Sequence, residues 1–156
     1  MNDLTTAAQP LDEPLYWQLV AASLAQPGGR AGQKQYLTER LQQLSPADII
    51  GFRLRTDQLL RASYNDRLWC AAYILNGGCS DDCFEYFRGW LVSRGKDVYY
   101  RALQNPDSLI EQLDSADGYE FESFNYLALT AFKSRTGQDP YDYLRASPAA
   151  PYPELN

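Results

Sequence analysis

A chain of 156 residues, 45% hydrophobic and 22% charged, has the size of one domain and can bury a core without disulfides or metal to hold it. Its net charge of −6 argues against a nucleic-acid or anionic-membrane binder, since both need lysine and arginine to meet phosphate. Histidine is absent, which removes Ser-His-Asp hydrolysis, Cys-His proteolysis and histidine-ligated zinc.

In chain order, residues 1–13 are polar and aperiodic and read as a flexible leader, with no basic and apolar signal segment. Asp12, Glu13 and Pro14 mark a helix start, after which Trp17, Val20, Ala21 and Leu24 follow helical spacing. A Pro-Gly-Gly break precedes a second helix over 33–44, with Tyr36, Leu37, Leu41 and Leu44 on one stripe. Ser45 and Pro46 open a third helix, running to about residue 62, with Ile49, Phe52, Thr56 and Leu59 inward. After a break at 63–66, residues 68–75 are apolar nearly all round and are expected to be the buried central helix. Gly77 and Gly78 end that helix, and a fifth is expected over about 81–94. A sixth spans 96–104, a short one 106–113, and a loop 114–118. A last long helix is expected over 120–135, closed by Thr136 and Gly137, with one more turn reaching residue 144. Residues 146–156 contain Pro148, Pro151 and Pro153 and read as a tail. No stretch alternates as a strand does. The prediction is all-α: a compact single-domain bundle of six to eight helices over residues 14–145.

Two segments stand out chemically. Gly77 to Arg88 holds Ser80, Asp81, Asp82, Glu85 and Arg88 at the start of the fifth helix. Ser80 can cap a backbone amide, and carboxylates in a first turn meet the positive helix end. Asp81, Glu85 and Arg88 are three or four residues apart and are expected to share a face. That corner reads either as a well-capped turn or as a ligand site. Two acids on one turn are a weak basis for a metal site, and no metal or cofactor is expected. The second segment, 111–122, mixes acids with rings: Asp114, Asp117, Tyr119, Glu120, Phe121 and Glu122. It reads as a surface for a basic protein, with Tyr119 and Phe121 as anchors. Cys70, Cys79 and Cys83 are expected to be reduced core thiols, although Cys79 and Cys83 can adjoin across the helix start.

Trp17, Ser45-Pro46, residues 68–74, Gly77-Gly78-Cys79-Ser80-Asp81-Asp82, Phe87-Arg88-Gly89-Trp90-Leu91, Gly95 and residues 105–109 together resemble a bacterial family catalogued as a domain of unknown function. The resemblance is colinear from about residue 14 to 143. It implies a small cytoplasmic bacterial domain, in some members fused to a WGR module in proteins labelled molybdate-metabolism regulators. It supplies no catalytic residues. The family pattern commonly places glycine after the two aspartates, where this chain has Cys83. The function expected from the residues is stoichiometric binding of a basic protein by a monomer, such as an immunity protein neutralising a toxin. No nucleic-acid or membrane partner is expected. The alternative is an enzyme or metal-dependent site at Ser80, Asp81 and Asp82.

Overall fold

Side-chain caps set where several helices begin. Ser45 Oγ accepts the Asp48 N–H, Asn65 Oδ1 that of Leu68, and Ser80 Oγ that of Cys83, each satisfying a donor the first helical turn cannot. The computed structural model describes residues 9–113, 117–144, 152 and 155, and among them there is no strand. Helices α1 (Glu13–Leu24), α2 (Gly29–Gln42), α3 (Pro46–Ala62), α4 (Asp66–Asn76), α5 (Asp81–Ser93) and α6 (Lys96–Gln104) lead to a 3₁₀ helix at Pro106–Gln112. A second 3₁₀ helix, Glu122–Tyr126, runs into α7 (Leu127–Thr136), and α8 (Tyr141–Leu144) adds one turn. The protein is a single all-α domain, as its periodicity predicts. No described helix is long and apolar enough to cross a membrane.

The centre of the fold is α5, not the 68–75 segment. Helix α5 buries Phe84, Phe87, Arg88, Gly89, Trp90, Leu91, Val92 and Ser93. It touches α3, α4, α6 and the second 3₁₀ helix. Helix α4 buries only Leu68 and Ala72, and leaves Tyr73 and Ile74 59% and 77% exposed. Among the described residues its chief neighbours are α5 and the first 3₁₀ helix. Gly89 lets α5 approach the second 3₁₀ helix closely. A Cβ there would come within 2.2 Å of Asn125 Oδ1 and 3.1 Å of the Phe121 carbonyl oxygen.

Three further departures have identifiable causes. The 120–135 stretch is split, because a 3₁₀ turn brings every third residue to one side. Phe121, Phe124 and Leu127 are thereby all buried. Helix α2 begins four residues earlier than expected. The Asp117 carboxylate accepts the Arg30 N–H at 3.0 Å, a cap supplied from far along the chain. Leu11, expected in the leader, is buried, with its N–H donated to Gly51 O at 2.8 Å and its carbonyl taking Arg55 Nε at 2.9 Å. Residues 1–8 of the leader lie outside the described residues, as does the tail apart from Tyr152 and Leu155.

Buried polar groups tie the helices together. Tyr16 Oη and Thr56 Oγ1 are 2.8 Å apart, joining α1 to α3. Tyr99 Oη donates to Leu59 O, joining α6 to α3. Gln33 Nε2 donates to Ser23 Oγ at 3.0 Å and to Ser93 O at 2.8 Å, so one α2 side chain links α1 and α5. Each bond satisfies a group whose burial would otherwise be costly.

Candidate functional site

The α4–α5 corner is built by a left-handed turn. Gly77 takes φ 68°, which glycine adopts without the Cβ penalty, and Gly78 N–H donates back to Tyr73 O. The chain then reverses into α5 with Ser80 as cap, its Oγ 3.3 Å from Cys83 N. Ser80, Asp81 and Asp82 are exposed and Glu85 is half-buried. Cys79 and Cys83 are joined in a disulfide, with Cα atoms 5.2 Å apart, and Cys70 is a free, exposed cysteine. Both findings correct the expectation of reduced core thiols. The cap explains the bond: its reversal folds the residue before Ser80 over the third residue of the helix. Trp69 Nε1 donates to Cys79 O at 3.0 Å and braces the same corner.

Arg88 does not join Asp81 and Glu85. It lies on the Asp81 stripe but seven residues on, about 10 Å further along the helix. There α5 has passed into the core, and Arg88 is only 2% exposed. Its Nη1 donates to Leu60 O at 2.6 Å and its Nε to Phe84 O at 3.3 Å. The guanidinium carbon sits 4.7 Å from the Phe84 ring centre, 4.9 Å from Tyr64 and 5.1 Å from Tyr152. It therefore serves as a buried cation among carbonyls and rings. Among the described residues no three Cys, Asp or Glu side chains converge as a metal-binding group.

In the second predicted segment, Asp114 lies outside the described residues. Asp117 is exposed but engaged with α2 through the Arg30 amide. Arg30 in turn donates to Gly118 O at 3.3 Å and stands 5.1 Å from the Phe121 ring centre. Tyr119 is half-buried, edge-on to Trp90 at 5.3 Å, with its hydroxyl donated to Leu113 O. Phe121 is 1% exposed and so is no docking anchor; its N–H donates to Tyr86 O at 2.9 Å. Glu120 is half-buried and Glu122 exposed. Much of this segment thus works inward, closing the fold over α2 and α5.

The structure does bring parts of the two predicted sets together. The second 3₁₀ helix packs on α5, and Glu122 lies near enough to Tyr86 to act on its phenol. Burial, followed by the charge and hydrogen bond of Glu122 and the charge of Asp82, pushes the Tyr86 phenol up to about 12. The Tyr126 phenol is raised as well, first by burial and then by Glu85, with Glu122 adding to it. Glu122 thus acts on both phenols, Asp82 on Tyr86 and Glu85 on Tyr126, where the Arg53 cation opposes the rise. Asp82 and Tyr86 are one turn apart on α5 and could be paired from the sequence, but the approach of Glu122 is tertiary.

A second surface had no sequence signal of its own. Ala71, Ile74 and Leu75 of α4 face Leu109, Ile110 and Leu113 across a groove of about 550 Å³. Ile74 and Ile110 are 77% and 71% exposed there.

The family described as "Protein of unknown function (DUF4240)" matches residues 11–134, a span that contains the corner, the acidic face and the groove. No curated protein and no solved structure matches the chain.

Proposed function

The chain belongs to this family of unknown function, and we propose from its own geometry that it is a protein-binding domain for a basic partner. The observation that carries the reading is the packing of α5 against the second 3₁₀ helix, with Phe121 N–H on Tyr86 O, which brings the exposed Asp82 and half-buried Glu85 of α5 toward the exposed Glu122. Carboxylates there steer a cationic partner in, and partly buried tyrosines supply short-range contact with few rotamers to lose. The overall charge of −6 works in the same direction. In its finer form the proposal is a cytoplasmic monomer acting stoichiometrically, as an immunity protein occludes a toxin. The catalytic alternative has less support. The Ser80 hydroxyl is engaged as a helix cap, and Arg88 lies under aromatic rings instead of beside Asp81 and Asp82.

Affinity capture from a bacterial lysate tests this reading. Wild-type protein is compared with the combined Asp82→Lys, Glu85→Lys and Glu122→Lys variant, at about 0.05 M and about 0.5 M salt, between which exposed charges become strongly screened. A basic protein should be retained one-to-one by the wild type at low salt, and lost at high salt and by the variant. Capture indifferent to both changes, or turnover of a small substrate by the pure protein, would count against the proposal.

A further inference from the structure

The ring that closes over Arg88 comes from the C-terminal segment. Tyr152 stacks on Tyr64 with ring centres 4.7 Å apart and planes 31° from parallel, and faces the Arg88 guanidinium at 5.1 Å. It remains 49% exposed, so it is laid on the domain's surface and not packed within it. What it rests on is built by the domain alone. Tyr64 contacts Phe84 at 5.5 Å and Trp69 at 6.2 Å, and Trp69 stacks on Phe84 at 4.8 Å. Arg88 is fixed by the Leu60 and Phe84 carbonyls, and Trp69 by that of Cys79. The floor is therefore a pair of contacting rings with a hydrogen-bonded guanidinium beside both, suited to receive a third, electron-rich ring by stacking and cation–π attraction.

The incoming residue is suited to the task. Tyr152 stands between Pro151 and Pro153 in the sequence. A residue preceding proline is biased to extended backbone, so it loses little freedom on docking, as in proline-rich segments that bind aromatic grooves. We propose that Tyr64, Phe84 and Arg88 form a socket for the ring of a proline-flanked tyrosine, and that the chain's own Tyr152 is its tethered occupant. The socket is distinct from the acidic face. Phe84 and Arg88 lie two residues out of step with Asp82 and Tyr86, which puts them on the opposite side of α5. A partner segment of the same chemistry must displace Tyr152, whose tether gives it a high effective concentration.

The test uses the full chain with Tyr152→Ala and a fluorescent synthetic peptide of residues 147–156, followed by anisotropy. Saturable binding to the Tyr152→Ala chain is expected, with affinity for the wild type at least about tenfold weaker, because the tethered ring already holds the socket. A peptide with alanine in place of its tyrosine should not bind. Adding Tyr64→Leu, which removes the ring but leaves an apolar side chain, should abolish binding while circular dichroism and the melting curve show a folded chain. The proposal is overturned if the Tyr152→Ala chain shows no saturable binding, if wild type and variant bind equally, or if the alanine peptide binds as well. A doubled mass in light scattering for the wild type, returning to a single one in Tyr152→Ala, would seat the ring in a second copy and overturn the tethered form.

Discussion

Across the Gly77 turn, α4 buries Leu68 and Ala72 and leaves Tyr73 and Ile74 in solvent, whereas α5 buries eight residues, a charged arginine among them. By composition the roles should be reversed, since α4 contains the more continuous apolar run and α5 opens on two aspartates. Burial follows neighbours more than composition. Helix α5 has packed elements on several sides, including the second 3₁₀ helix that Gly89 admits. Helix α4 is held chiefly along one side, between α5 and the first 3₁₀ helix. A charge can then sit deep in the better-surrounded helix, provided carbonyls and rings take up its donors, as they do for Arg88.

Removing one tryptophan from each helix tests this inequality most severely. Trp90 of α5 is 1% exposed and packs against Phe87 and Tyr119. Trp90→Ala should cost about 3–5 kcal/mol, the usual range for a fully buried large ring. Trp69 of α4 is half-buried, and Trp69→Ala should cost less, about 1–2 kcal/mol in proportion to the smaller area lost. Urea midpoints of the two variants decide it. If Trp69→Ala is the more damaging, α4 is the centre after all.

A smaller effect probes the joint between the helices. Ser80→Ala removes the cap on Cys83 N and should destabilise by about 0.5–2 kcal/mol. The disulfide spans the same turn, so the loss should be greater after reduction, when Cys79 no longer holds Cys83 in place. Melting each variant with and without reductant measures that coupling. Equal losses in the two states would mean that cap and disulfide act independently.

What the sequence made legible was local. Ser45, Ser80, Gly77 and Gly137 marked helix ends, because a cap or a left-handed turn needs only its own few residues. Helix α6 fell at 96–104 for the same reason, between Gly95 and Asn105. Features that depended on distant partners were hidden. Residue 29 starts α2 because of Asp117, and Phe121 is buried because a 3₁₀ turn points it inward beside Phe124. Arg88 matched the spacing for a surface pair with Glu85, but spacing does not reveal how deep α5 has run by that point. The candidate site divides along the same line. Asp82 and Glu85 could be read from the N-terminal part of α5, and Glu122 from the acidic stretch, yet only the packing of the second 3₁₀ helix on α5 brings the two sets toward each other.

The smallest expected effect lies on the outer face of α4. Ile74 is 77% exposed at the edge of the groove it shares with Ile110 and Leu113, so it gains little from the fold. Ile74→Ala should shift stability by no more than about 0.5 kcal/mol, as surface substitutions away from specific contacts do. Denaturation at two protein concentrations makes the test stringent. Unfolding of a lone domain is independent of concentration, while a face covered by another copy makes the midpoint rise with concentration. A flat midpoint and a negligible loss would leave α4 as the half-clad partner of α5. A loss comparable to that of a core residue, or a midpoint that climbs with concentration and flattens in Ile74→Ala, would show that α4 is enclosed in solution, and the inequality between the two helices would then belong only to the isolated chain.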